Sequence, residues 1–140
     1  GVYNEKGVVK VCRQVCDALS VLHSKGIIHR DIKPENIMIT KHGEIKLIDF
    51  NASKQYKEEE VKDTKILGTT GFAAPEQYGI SQSDARTDIY AMGVLINVML
   101  TGEHPSKVMC GGRMRKIVSK AVSINPSDRY QSSEELKEVL

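Results

Sequence analysis

Tryptophan is absent, and two phenylalanines and five tyrosines hold the aromatic share of the 140 residues to 5%. Little is left for stacking bases, and 20 Lys+Arg against 18 Asp+Glu give a formal charge of only +2, far from the footprint of a dedicated nucleic-acid binder. Nucleic acid is therefore not an expected partner. Long apolar runs are missing too. The longest, residues 89–100, is interrupted by Gly93 and Asn97 and is too short to span a bilayer, and no secretory signal opens the chain. The segment is expected to be soluble, without membrane contact. Cysteine is scarce: Cys12, Cys16 and Cys110 are odd in number and match no zinc spacing, which argues against a disulfide framework or structural metal and for a reducing, cytoplasmic setting. Cys12 and Cys16 lie one helical turn apart, as a redox pair would, but two small buried residues on an apolar helix face is the preferred reading. An initiating methionine is also lacking, which suggests a fragment or a processed chain.

What is present is ordinary for one globular core: 40% hydrophobic and 27% charged residues. From Val8 to Ser24 apolar residues recur at threes and fours, which predicts an amphipathic helix closed by Gly26. Short β-rich runs follow at Ile27-Ile28, Ile37 to Thr40 and Ile45 to Ile48, the last two joined by a hairpin turn at Lys41-His42-Gly43-Glu44. Residues 51–71 are polar, charged and without period, which reads as a long loop. Asp88 to Leu100 is apolar nearly all round and predicts a buried central helix ended by Thr101-Gly102. Arg113 to Ser123 predicts another helix, Asn125-Pro126 breaks it, and Ser132 with Glu135 predicts a capping box that opens a terminal helix to Leu140.

The chemistry concentrates in His29-Arg30-Asp31-Ile32-Lys33-Pro34-Glu35-Asn36 and, further on, Asp49-Phe50-Asn51. Phosphoryl transfer needs a carboxylate beside the attacking hydroxyl and oxygen ligands for magnesium. Asp31 suits the first role; Asn36 and Asp49 suit the second. Each residue alone would read as a turn or capping residue, but their combination is specific. The pattern H-R-D-x-x-x-x-N followed by D-F-x resembles the catalytic and metal-binding loops of eukaryotic-like Ser/Thr protein kinases.

That resemblance covers nearly the whole chain, residues 1–140, as the C-terminal lobe of the kinase domain. It implies an α+β, mainly α fold with short β-hairpin strands beside the catalytic loop. It also implies ATP and Mg2+ as cofactors and a protein substrate carrying Ser or Thr. Lys33 would place positive charge near the transferring phosphate, as in Ser/Thr-specific members. Arg30 resembles the arginine that meets a phosphorylated activation-loop residue, here Thr64 with Ser53 behind it. His29 and Phe50 correspond to packing residues of the family's hydrophobic spine. Gly68-Thr69-Thr70-Gly71-Phe72-Ala73-Ala74-Pro75-Glu76 resembles the peptide-positioning loop. In it Thr69 would bond toward Asp31 and Lys33, and Glu76 would pair with Arg129. Asp88 matches the helix aspartate that holds the catalytic-loop backbone, with helix capping as its ordinary alternative. The Ala-Pro-Glu-Gln-Tyr run and the compact C-terminal end look most like bacterial members.

Two features depart from the family pattern. Asn51 replaces a glycine, and asparagine is the least costly substitute where unusual backbone angles are needed. Upstream of the first helix nothing supplies the Gly-rich loop, strand lysine or helix glutamate of an N-terminal lobe, so the isolated chain is expected to be inactive and to need that lobe as a partner. The connection after Pro105 is short, so a substrate-docking helix there is expected to be reduced. A non-catalytic, pseudokinase-like binding or scaffold module remains the alternative reading.

Overall fold

The computed structural model describes residues 3–42, 44–47, 72–78 and 84–140. It opens with helix α1 (Glu5–Ser24), where Asn4 accepts from the Gly7 N–H as N-cap and Glu5 places negative charge at the positive end of the helix. The helix ends as predicted, with Gly26 at φ 75° carrying the chain away. A 3₁₀ turn (Pro34–Asn36) leads into strand β1 (Ile37–Ile39), which pairs antiparallel with β2 (Ile45–Leu47) in the register Ile37 opposite Leu47 and Ile39 opposite Ile45. Thr40 closes the turn, its N–H donating to the Glu44 carbonyl (2.8 Å) and its hydroxyl accepting from the Glu44 N–H (3.1 Å). Alternation follows the pleat: Ile37, Ile45 and Leu47 face the core, while Met38 is exposed.

Helix α2 (Ala85–Thr101) is the buried centre. Its apolar surface runs all round, from Ile89 through Ile96 to Met99, so it can only be stable with neighbours on every side. Helix α1 and the terminal helix α4 (Ser133–Val139) pack together and against α2, and α3 (Gly112–Ala121) lies along α2. Gly93 makes that last approach close: a Cβ there would stand 2.7 Å from Ala121 Cβ and 2.8 Å from Val122 Cγ1. Cys12, Cys16 and Cys110 are buried free thiols inside this core. Among the described residues no helix is long and apolar enough to cross a membrane.

Several expectations need correction. Ile27 and Ile28 form no strand; the amides that follow, at His29 and Arg30, donate to the Asp88 carboxylate rather than to a ladder. The central helix begins three residues earlier than Asp88, because Asp84 caps it. Helix α3 stops at Ala121, not Ser123. The capping box at Ser132 is only half formed: Ser132 Oγ accepts from the Glu135 N–H (3.1 Å), but the Glu135 carboxylate reaches Gln131 N (3.3 Å) instead of Ser132 N. The long loop expected at residues 51–71 lies outside the described residues.

Candidate active site

The first turn of α2 organises the site. Asp84 closes a reciprocal capping box, accepting from the Arg86 N–H (2.8 Å) while its own N–H donates to Thr87 Oγ1 (3.2 Å). Two residues of that turn then point at two different loops. Asp88, fully buried, accepts from the His29 N–H through Oδ2 (2.9 Å) and from the Arg30 N–H through Oδ1 (2.8 Å). His23, from the last turn of α1, adds a 2.8 Å hydrogen bond to Oδ2.

Arg30 needs such a grip because its φ is 70°, a left-handed backbone that L-residues avoid. The grip comes from both sides. Asp88 holds its N–H, and the Gln77 side chain donates to its carbonyl (3.4 Å) while accepting from the Ala74 N–H (3.2 Å). Burial pulls the Arg30 guanidinium pKa down, and the Asp88 charge opposes this.

Beyond the left-handed residue, Asp31, Lys33 and Asn36 converge. The Asn36 amide nitrogen donates to the Asp31 carbonyl (2.8 Å) and to Asp31 Oδ2 (2.9 Å), and Lys33 Nζ lies 3.7 Å from the same carboxylate oxygen. Pro34 starts the 3₁₀ turn that folds Asn36 back over Asp31, its ring setting the required φ. Asp31, in the loop, and Asn36, at the end of that turn, are both buried. Both Asn36 amide hydrogens are spent on Asp31. This leaves Oδ1, which accepts no hydrogen bond among the described residues, as a neutral oxygen of the kind a hard divalent cation takes. His29 is fully buried and its Nδ1 accepts from the Asp31 N–H (3.2 Å), so its ring sets the loop from inside.

The second loop is fixed by Glu76. Arg129 spans its carboxylate with Nη1 to Oε2 (2.8 Å) and Nη2 to Oε1 (2.9 Å), and Thr87 Oγ1 donates to Oε2 (2.8 Å). The remaining Arg129 donors go to the carbonyls of Ser123, Ile124 and Arg86, and its guanidinium sits 5.1 Å over the Tyr90 ring. Burial pushes the Glu76 carboxyl up. The hydrogen bonds from Arg129, its own backbone and Thr87, with the Arg129 charge, outweigh this and hold the pKa below the ordinary value.

Of the residues singled out in the sequence, the fold brings together His29, Arg30, Asp31, Lys33, Asn36 and Asp88, and separately Glu76 with Arg129. Asp49, Phe50, Asn51, Thr64 and Thr69 lie outside the described residues. Sequence reading missed His23, Gln77, Asp84 and Thr87. Asp84, just before the apolar run and three residues ahead of Thr87, carried a cap signal; the others act through tertiary contacts that no local pattern announces. The Cys12–Cys16 redox alternative fails chemically: burial foremost pushes the Cys16 thiol up to about 12 and Cys12 higher still, so neither is a ready thiolate.

Comparison with known proteins agrees with this geometry. A family model described as the protein kinase domain matches residues 1–140. The serine/threonine-protein kinase PknL of Mycobacterium tuberculosis is 35% identical over 147 residues, covering 88% of this chain and 37% of the relative. PknB of the same species is 31% identical over 163 residues (98% and 26%), and the yeast Saccharomyces cerevisiae kinase STE20 is 38% identical over 104 residues (74% and 11%). The chain thus spans well under half the length of these curated relatives. With a match along its full length and a buried Asp31–Asn36 pair, flanked by Lys33, in a loop held by Asp88, this chain belongs to the protein kinase domain family.

Proposed function

We infer that residues 1–140 form the C-terminal lobe of a Ser/Thr protein kinase domain whose parent transfers the ATP γ-phosphoryl group to Ser or Thr hydroxyls of protein substrates. The observation that carries this is the convergence of Lys33 Nζ (3.7 Å) and Asn36 Nδ2 (2.9 Å) on Asp31 Oδ2, in a loop whose backbone Asp88 fixes. Asp31 orients the acceptor hydroxyl and takes its proton as that oxygen bonds to phosphorus and ADP leaves. Lys33 offsets charge on the phosphoryl oxygens. Asn36 Oδ1 and Asp49 are the oxygens that would hold Mg2+, which when bound neutralises phosphate charge. Thr69 would steady the peptide beside Asp31, His29 and Phe50 would serve as packing residues of the family's hydrophobic spine, and Arg30 would receive a phosphate on Thr64. The names of the relatives, all serine/threonine kinases, support the acceptor class.

The adenine and phosphate roof would come from an N-terminal lobe, the first partner this reading requires. The isolated chain is accordingly read as inactive, since ATP would lack about half its contacts. Reduced, buried thiols fit a cytoplasmic setting. The test is Asp31→Asn in the full-length parent, assayed with γ-labelled ATP and a Ser/Thr peptide. Phosphorylation should fall by at least about 100-fold. Unchanged transfer would remove Asp31 from its role, and a parent with no transfer at all would leave the scaffold reading.

A further inference from the structure

The short connection from α2 to α3 is fixed rather than loose, and the surface it leads into carries one sign of charge. Asn97, fully buried in α2, donates to the carbonyls of Val108 (2.7 Å) and Glu103 (2.9 Å) and accepts from the Cys110 N–H (2.9 Å). One side chain therefore pins both ends of the loop. Residues 104–127 contain no Asp or Glu, while Lys107, Arg113, Arg115, Lys116 and Lys120 all fall within them. Outside this stretch acids outnumber bases, so the small positive balance of the chain is concentrated here.

Helix α3 sorts these residues by face. Met114, Ile117, Val118 and Ala121 are buried against the core, and Arg113, Arg115, Lys116 and Lys120 occupy the exposed arc. Internal neutralisation is slight. Glu5 lies 3.6 Å from Arg113, Lys120 sits 4.8 Å over the Tyr130 ring, and among the described residues Lys107, Arg115 and Lys116 form no ion pair with a carboxylate.

This arrangement works against the helix it sits on. Gly111 offers no side-chain cap, the first turn has no acid, and Arg113, Arg115 and Lys116 crowd the positive end of the helix dipole. Arg113 is used by the fold, through Glu5 and the Val139 carbonyl (2.6 Å), whereas Arg115 and Lys116 make no such contact among the described residues, and local rules are broken most often where a site requires it.

We propose that Lys107, Arg115 and Lys116, on the Asn97-pinned loop and the exposed face of α3, form a docking surface for a carboxylate-rich segment of the protein substrate. This rests on the kinase reading. The occupant is a peptide acid because the cations stand separately on the surface, no aromatic side chain of the stretch is exposed to stack a base, and Val108 and Ile124 are its only exposed large apolar side chains, too few to bury acyl chains.

The test uses the full-length parent and its Lys107→Glu/Arg115→Glu/Lys116→Glu variant, with two Ser/Thr peptides that differ only in a Glu-Asp-rich tail. The parent should favour the tailed peptide by about tenfold in kcat/KM, expressed in KM, and the variant should lose that preference. No preference in the parent, or an equal preference in the variant, overturns the proposal. If neither peptide is phosphorylated, the kinase reading has failed and docking is judged alone by fluorescence anisotropy of the labelled tail. Salt-sensitive binding lost in the variant supports docking, and absence of binding overturns it. Tighter binding to phosphatidylserine vesicles or to single-stranded DNA than to the tail also overturns it.

Discussion

Arg129 meets Glu76 across more than fifty positions of sequence with a two-point pair, Nη1 to Oε2 at 2.8 Å and Nη2 to Oε1 at 2.9 Å, with exposures of 0% and 5% for the two side chains. Every N–H of the guanidinium is used. Such a pair fixes geometry more surely than it adds net stability, but breaking it strands a buried carboxylate. Arg129→Met is therefore expected to lower unfolding stability by about 3–5 kcal/mol in a denaturant titration. Arg129→Lys should recover little, since an ammonium cannot span two oxygens and three carbonyls. A loss below about 1 kcal/mol would mean that water replaces the guanidinium.

The same pair sets an acid limit. The Glu76 pKa is lowered on folding, so its contribution is fully present above the ordinary carboxylate pKa of about 4.3 and is lost as pH falls through the lower folded value. Asp84 is lowered too, chiefly by Arg86, but it is half-exposed and its share is screened. Melting temperature should hold from neutral pH to about 5 and then drop. Glu76→Gln should flatten that acid limb while lowering the plateau; an unchanged limb would assign acid unfolding to other carboxylates.

Gly93 gives a case where two effects oppose. Glycine to alanine inside a helix ordinarily gains about 1 kcal/mol. Here the new Cβ would stand 2.7 Å from Ala121 Cβ and 2.8 Å from Val122 Cγ1, and overpacking of a closed interface costs about 1–3 kcal/mol. Overpacking wins, so Gly93→Ala should destabilise and Gly93→Leu more so, read from denaturant midpoints at constant m. A stabilised Gly93→Ala would show that α3 shifts freely on α2.

Legibility followed the range of the interaction. The amphipathic period of α1, the all-apolar α2 and the hairpin around Lys41-His42 were written locally, and so were their glycine stops at Gly26 and Gly102. The Asp31–Asn36 contact was legible because five residues and a proline turn bring the two together. What did not show was the reach of His23 to Asp88 and of Gln77 to the Arg30 carbonyl, since such contacts exist only after α1, α2 and the second loop have packed; the hold of Asp88 on the loop was expected through the family resemblance alone. Ile27-Ile28 failed as a strand for the same reason: its β-rich composition was overruled when a buried carboxylate claimed the next two amides.

That carboxylate gives the most direct test of how the fold holds the site. Arg30 at φ 70° carries about 1–3 kcal/mol of backbone strain, and each amide bond to the buried Asp88 charge returns about 1.5–3 kcal/mol. Two such bonds exceed the strain, so the loop stays left-handed; with none, it relaxes. Asp88→Ala is expected to lower stability by about 2–4 kcal/mol and to reduce parent kcat by at least about tenfold, because Asp31 follows Arg30 directly. Asp88→Asn keeps one acceptor and should fall between. The discriminating measurement is kcat against unfolding stability in both variants. If kcat is kept while stability falls, the Arg30 backbone is held without Asp88, and the Gln77 contact at 3.4 Å becomes the grip to remove next.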